Sequence, residues 1–249
     1  YYREAESKVT LSPWSKLTRD SLHMEGGASV VMLDKGAIQQ VESQAARGVQ
    51  DDPGRKVEFS ADRLVMLFGE DMVASDIKGE RNGKLVSTAN AMRTTVTGDT
   101  IHLEFDPNVK ESTLKQAVAT GKGVAESRPL PRAGEVLPDT RILRSEVIHL
   151  TMRPGGRDIE KVATEGAGTV DFLPNHPSQP KRFMKGDRLL FIYGPENRIQ
   201  HFEGVNASTR TEHPEQPGAP PMLTRSKEIA ANFDPKTGEL ALLTQKFDF

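Results

Sequence analysis

The chain has 249 residues, a net charge of −2 and no cysteine. Its near balance of 33 basic and 35 acidic residues argues against a nucleic-acid-binding surface, which needs a clear basic excess. A disulfide framework and thiolate metal sites are excluded, and no apolar run reaches the roughly twenty residues that a membrane-spanning helix needs.

In chain order, six segments alternate apolar with other residues, and most of them end in a turn built on proline or glycine. The six begin at Ser29, Leu64, Ile101, Ile148, Leu189 and Ile229. From the second onward they recur about every 40 residues, a period typical of folds built from stacked supersecondary units. The alternation predicts strands with one apolar face and one polar face.

Each segment is predicted to be the first strand of a β-hairpin. Asp106-Pro107 and Gly194-Pro195 place proline where a β-turn favours it. Each return strand has two apolar residues three positions apart, for example Ile38 and Val41 in the first hairpin. This spacing indicates either a bulge or a strand bent so that its halves face different surroundings, as in a V-shaped sandwich. A later glycine, such as Gly48, marks a bend or a close backbone approach.

Three Pro-rich stretches, at residues 128–139, 173–180 and 213–221, fall between successive hairpins. Insertions at one phase of a repeat predict loops on a single rim of the stack. Residues 38–47 could be written as a helix, but the alignment of the repeats assigns them to a strand. The expected fold is therefore all-β and antiparallel.

The repeat resembles the OstA-like family of lipopolysaccharide-transport proteins, which includes LptA, LptC and the amino-terminal domain of LptD. The features shared are an apolar strand ending in an aromatic residue, an Asp-Pro or Gly-Pro turn, and a return strand closing on a Gly-Val-like pair. The resemblance covers Ser29 to Phe249, although the Pro-rich insertions are long for this family. It implies one domain over residues 1–249, a twisted β-jellyroll open along one side and built from about six tandem hairpins. The expected repeats are residues 21–50, 57–90, 93–127, 141–172, 182–212 and 222–249.

The resemblance also implies that the apolar face forms a groove for the acyl chains of lipopolysaccharide. The alternative is the ordinary core of a β-sandwich, which shows the same alternation. The predicted groove residues are Val31, Leu33, Leu64, Met66, Phe68, Ile101, Leu103, Phe105, Ile148, Leu150, Met152, Leu189, Phe191, Tyr193, Ile229 and Phe233.

The charged residues and histidines give fewer indications of function than the apolar pattern does. A basic cluster is a candidate for contacts with lipid phosphates at a rim, with a solvated face as the alternative; it comprises Lys181, Arg182, Lys185 and Arg188. His102 and His149 occupy the same repeat position on the polar face and are expected to be surface histidines. No catalytic residue, metal site or cofactor is predicted.

These observations favour a non-enzymatic periplasmic protein that carries lipopolysaccharide between the inner and outer membranes. The expected partners are lipopolysaccharide, through its lipid A acyl chains, and other transport proteins or a second copy. These would pair end to end with an edge strand within residues 239–249. The start at Tyr1 without methionine suggests an upstream signal peptide or inner-membrane anchor. The alternatives are a polysaccharide-active enzyme of repetitive β architecture and a structural or adhesive envelope protein.

Overall fold

The computed structural model describes residues 2–3, 7–19, 21–69, 73–106, 113–131, 137–212, 218–235 and 240–247. Within these ranges it contains seventeen β-strands and one short 3-10 turn, Pro195–Asn197. All strand pairs are antiparallel, and nearly every strand pairs with its neighbour in sequence. The predicted all-β fold of tandem hairpins is confirmed, and the region 38–47 is strand rather than helix.

The strands fall into three groups along the chain. Five short strands come first: β1 (Tyr2–Arg3), β2 (Lys8–Leu11), β3 (Ser15–Arg19), β4 (Leu22–Gly26) and β5 (Ser29–Asp34). Seven long strands follow: β6 (Ala37–Asp52), β7 (Arg55–Phe68), β8 (Ala74–Ala89), β9 (Met92–Phe105), β10 (Leu114–Pro129), β11 (Thr140–Met152) and β12 (Ile159–Leu173). The last five are β13 (Lys181–Gly186), β14 (Arg188–Tyr193), β15 (Ile199–Glu212), β16 (Met222–Phe233) and β17 (Leu240–Lys246).

The long strands run through two arms of one folded sheet. The first half of β6 pairs with β5, whereas its second half pairs with β4. In the same way, β12 pairs with β14 through one half and with β13 through the other. We call the arm that contains β1, β2, β5, β14 and β17 arm A, and the arm that contains β3, β4 and β13 arm B. Apolar residues from both arms belong to one core, so the arms face each other.

Most of the strands that return from arm A to arm B change arms at residues with positive φ. Ala45, Gly121, Gly166 and Asn206 have φ between 47° and 89°. In β8 the same place is taken by the consecutive pair Arg81 and Asn82. Such backbone bends the strand and increases its twist, which a strand crossing between two facing arms requires. The predicted V-shaped path is therefore present.

A second irregularity lies beside each turn of arm A. Leu33 pairs with Ile38 while Met32 pairs with Gln40, so Gln39 is an extra residue on the return strand. Register shifts occur at the same place in the five later hairpins. The bulge brings Ile38 and Val41 to the same inner face, where Val41 is buried and Ile38 packs against the core. The spacing of three thus reflects a bulge, and the bend comes later in the strand.

The three Pro-rich stretches all connect strands of arm B. They join β10 to β11, β12 to β13, and β15 to β16. The short Asp-Pro and Gly-Pro turns connect strands of arm A. The side of the sandwich away from the strand bends, which we call the mouth, is therefore bordered by the arm A turns, which we call the arm A lip, and by the arm B connections, which we call the arm B lip. The arm B lip contains the two-residue turns 53–54 and 90–91 as well as the Pro-rich stretches. The prediction of loops on one rim is confirmed for the described parts of these stretches.

The amino-terminal end of the sandwich includes strands that the repeat pattern did not reveal. β2 extends arm A beyond β5, and β3 extends arm B beyond β4. Between them, Ser15 Oγ and Ser29 Oγ lie 2.6 Å apart, and Ser29 Oγ donates a hydrogen bond to Ser43 Oγ at 2.8 Å. All three serines are buried. A row of paired hydroxyls therefore fills this end of the interior.

Candidate functional site

The sixteen predicted groove residues all lie on the inner faces of arm A strands. Ten are buried in the core: Leu64, Met66, Ile101, Leu103, Phe105, Ile148, Leu150, Leu189, Phe191 and Ile229. The other six are half-buried: Val31, Leu33, Phe68, Met152, Tyr193 and Phe233. Through the amino-terminal and central hairpins these side chains pack directly against those of arm B.

An open cavity of about 900 Å³ lies between the arms toward the carboxyl-terminal end. Of the sixteen predicted residues, which are all within the described ranges, Phe191, Ile229 and Phe233 line it. The cavity extends as far as Leu240 and Leu243 on β17 and Met222 on β16. These three side chains are also 46–57% exposed. The cavity therefore reaches solvent at the carboxyl-terminal end of the sandwich.

Most of the cavity wall comes from residues outside the predicted set. Phe172, Met184 and Met222 line it from arm B, and Phe202 and Leu243 line it from the return strands of arm A. Phe202 and Leu243 had a sequence signal, since each is the second member of an apolar pair three positions apart. Phe172 and Met184 were missed because the predicted groove was taken only from the six apolar segments that begin the hairpins.

A side-chain hydrogen bond joins the two lips at the inner end of this cavity. Asn90, in the β8–β9 turn of arm B, donates a hydrogen bond to Asp158, in the β11–β12 turn of arm A. Within the arm A lip, Asn197 accepts a hydrogen bond from the backbone N–H of Ile159 at 2.7 Å. Both Asn90 and Asn197 line the cavity. The open region therefore begins where the two lips are joined.

A row of three side chains crosses the arm B wall of the cavity. Arg141 on β11 is directly opposite Phe172 on β12, which is directly opposite Arg182 on β13. The Arg182 guanidinium carbon lies 5.1 Å from the Phe172 ring centroid, within cation–π range. Arg182 also donates a hydrogen bond to the buried carboxylate of Asp139 at 2.6 Å. Residues directly opposite each other in a ladder point to the same face of the sheet. All three line the cavity, so the row points inward.

Tyr193 faces the same interior from arm A. Burial raises the pKa of its phenol, and the positive charge of Arg141 opposes that rise. The Arg141 charge therefore acts on the Tyr193 phenol of the facing arm.

The structure separates the predicted basic cluster. Arg182 alone of the four is on an inner face, whereas Lys181, Lys185 and Arg188 are exposed outside. Lys185 lines a shallow groove of about 610 Å³ where the arms meet, together with Lys122 and Arg144. Any contact of these residues with phosphate therefore involves two different surfaces.

The predicted surface histidines pair with carboxylates on the outer face of arm A. His102 lies 2.9 Å from Asp76, and His149 lies 3.1 Å from Glu165. A third histidine, His201, lies 2.9 Å from Glu203, whose hydrogen bond raises the pKa of His201. Among the described residues, no group of three or more potential ligands is placed to hold a metal ion.

Comparison with known proteins leaves the family open. No protein-family model matches the chain, and no curated protein matches it. Over the part of the chain that the structure describes, no helix is long and apolar enough to cross a membrane.

Proposed function

We propose that this protein carries acyl lipid, with lipopolysaccharide as the ligand suggested by the OstA-like sequence pattern, and that it has no enzymatic activity. The observation that carries the proposal is the apolar cavity of about 900 Å³, which opens at the carboxyl-terminal end. Its walls carry large side chains from both arms, including Phe202 and Met184. Mostly apolar walls with a few placed polar groups are typical of small-molecule sites.

The volume of the cavity limits how much lipid it can enclose. A methylene group takes nearly the space of a water molecule, about 30 Å³, so the cavity accommodates roughly 30 such groups. That corresponds to one or two acyl chains. Burial is worth about 0.8 kcal/mol per methylene, so one chain of about a dozen carbons gains on the order of 10 kcal/mol. Partial burial of a multi-chain lipid is therefore sufficient for binding and still permits release.

The carboxyl-terminal edge supports transfer to a partner or to a second copy. β17 pairs with β16, and among the described residues no strand is registered against its other edge. Within the described part of the predicted 239–249 edge, Leu240, Leu242, Leu243 and Phe247 are exposed. An apolar edge strand is a template for pairing with another chain. Pairing there would extend the cavity into the next molecule, which fits a periplasmic bridge between membranes.

A matched pair of substitutions on β16 tests the lipid site. Ala231 is buried and lines the cavity, whereas the adjacent Ala230 is on the outer face. Ala231→Phe should reduce the acyl lipid that co-purifies with the protein, measured by mass spectrometry, and Ala230→Phe should leave it unchanged. Lipid A in the extract would identify lipopolysaccharide, and another acyl lipid would support a carrier of a different ligand. A wild-type protein without lipid, or equal lipid in both variants, would contradict the carrier function.

A further inference from the structure

The cavity contains charged groups that an uncharged acyl ligand would not require. Arg141 and Arg182 both line it, with Phe172 between them in the same cross-strand row. Neighbouring strands are about 4.8 Å apart, so the two arginines are about 10 Å apart along the wall. The row is at the end of arm B next to its lip, where a headgroup would lie if the chains extended into the cavity.

The two arginines differ in whether an ion pair neutralises their charge. Arg182 is paired with Asp139, whose side chain is only 8% exposed. Arg141 makes no ion pair with any described residue of the chain. The row, together with Asp139, therefore keeps one positive charge. Near apolar walls the effective dielectric constant is lower than in water, so this charge attracts an anion more strongly than an exposed arginine does.

We propose that Arg141 and Arg182 bind the anionic headgroup of the lipid, with phosphate as the best-fitting group. This rests on the proposed function, because the acyl chain of the same ligand fills the cavity. Guanidinium groups bind phosphate through paired charge-assisted hydrogen bonds. Asp139 is the internal anion that holds Arg182 in the free protein and competes with the ligand for it. The outer-face residues Lys181, Lys185 and Arg188 take no part.

The test compares two ligands that share one acyl chain. Lauroyl lysophosphatidic acid carries a phosphate, and monolauroyl glycerol lacks it. Isothermal titration of the full chain should show that the phosphate lipid binds about tenfold more tightly, or more, which is the size expected for charge-assisted hydrogen bonds. Inorganic phosphate alone should not bind measurably, because it gains nothing from the cavity.

Two double variants remove the same charge from opposite faces. Arg141→Gln/Arg182→Gln should abolish the preference for phosphate while monolauroyl glycerol still binds. Lys185→Gln/Arg188→Gln should preserve the preference. Because loss of Arg182 leaves Asp139 buried without its partner and can destabilise the fold, two single variants accompany them. Arg141→Gln should lower the preference without breaking an ion pair, and Asp139→Asn should increase it.

The outcomes separate the two proposals. Equal binding of both lipids by the wild-type protein, or a preference unchanged in the inner double variant, would overturn the headgroup site and leave the carrier function standing. Binding of inorganic phosphate as tight as that of the phosphate lipid would show a free-anion site and overturn the lipid headgroup. If neither lipid binds, the carrier function fails, and the headgroup site fails with it.

Discussion

Asn90 Nδ2 donates a hydrogen bond to Asp158 Oδ1 at 3.1 Å, joining residues 68 positions apart across the mouth of the sandwich. The strands of each arm pair within that arm, so this side-chain hydrogen bond, rather than a strand ladder, joins the two lips here. The cavity begins at Asn90. The amino-terminal limit of the cavity thus coincides with this contact.

Breaking this link should open the mouth locally. Asp158→Ala removes the acceptor, and it avoids substituting Asn90, whose φ of 50° favours asparagine. We expect faster amide hydrogen exchange at residues 90–92 and 156–159, with a stability loss below about 1.5 kcal/mol, the upper range for one hydrogen bond. The measurement is hydrogen exchange with mass spectrometry.

Asp62→Ala is the matched control for the mouth. It breaks another exposed Asn–Asp bond, from Asn82 Nδ2 to Asp62 Oδ2 at 3.0 Å, where the strands change arms. Exchange at both lips should stay at the wild-type rate in this variant. Unchanged lip exchange in Asp158→Ala would mean that the backbone holds the mouth without the side-chain link.

Gly48 is required because the ring of Phe59 occupies the place of a side chain. A Cβ at Gly48 would lie 2.1 Å from Phe59 Cζ. Gly48→Ala should therefore lower the free energy of unfolding by about 1–3 kcal/mol, as overpacking of a core does. Gly69→Ala is the control, because the nearest atom of a described residue would lie 4.0 Å from the added Cβ.

Urea denaturation measures both glycine variants. Adding Phe59→Leu to Gly48→Ala should recover part of the loss, because the smaller side chain leaves room for the methyl group. A Gly48→Ala variant as stable as the wild-type protein would show that the Phe59 ring moves aside freely.

The sequence predicted the inner face of arm A better than it predicted the cavity. Alternation is local, so Ile101 and Leu103 were assigned correctly to one face from their spacing alone. The cavity depends on the distance between the arms, to which no local pattern corresponds. Arg182 shows a further limit. Strict alternation counted back from the inward-facing Leu189 predicts that Arg182 faces outward. The strand breaks at Asp187 between β13 and β14, so the alternation shifts there and Arg182 faces inward.

The edge strand β17 should mediate self-association. Leu242 is on its outer face and is 56% exposed. Lysine on an edge strand discourages pairing because a partner strand would have to bury the charge. Leu242→Lys should therefore shift the protein toward monomer in sedimentation velocity at several concentrations.

Leu67→Lys is the matched control for the edge. Leu67 is an exposed leucine on the outer face of a central strand, β7. The Leu67→Lys variant should associate to the same extent as the wild-type protein. An identical distribution of species in the wild-type protein and Leu242→Lys would contradict association through β17.

His201 should make stability depend on pH. The hydrogen bond to Glu203, with a further one to Asn232, raises the pKa of His201 above its usual 6.5 in the folded protein. A raised folded pKa means that the folded state binds the proton more tightly than the unfolded state. The stabilisation is therefore fully present below the unfolded pKa and is lost as pH rises through the folded pKa. For a pair at this exposure the effect should stay below about 1 kcal/mol.

Glu203→Gln provides the test, because it keeps the shape of the partner and removes its charge. The pKa of His201, followed by NMR titration of its imidazole signals, should fall toward the usual value. Urea denaturation from acidic to mildly alkaline pH should show a flatter stability profile than that of the wild-type protein. An unchanged titration of His201 in Glu203→Gln would show that Glu203 does not hold the proton. In that case the pH dependence of stability would have to come from other groups.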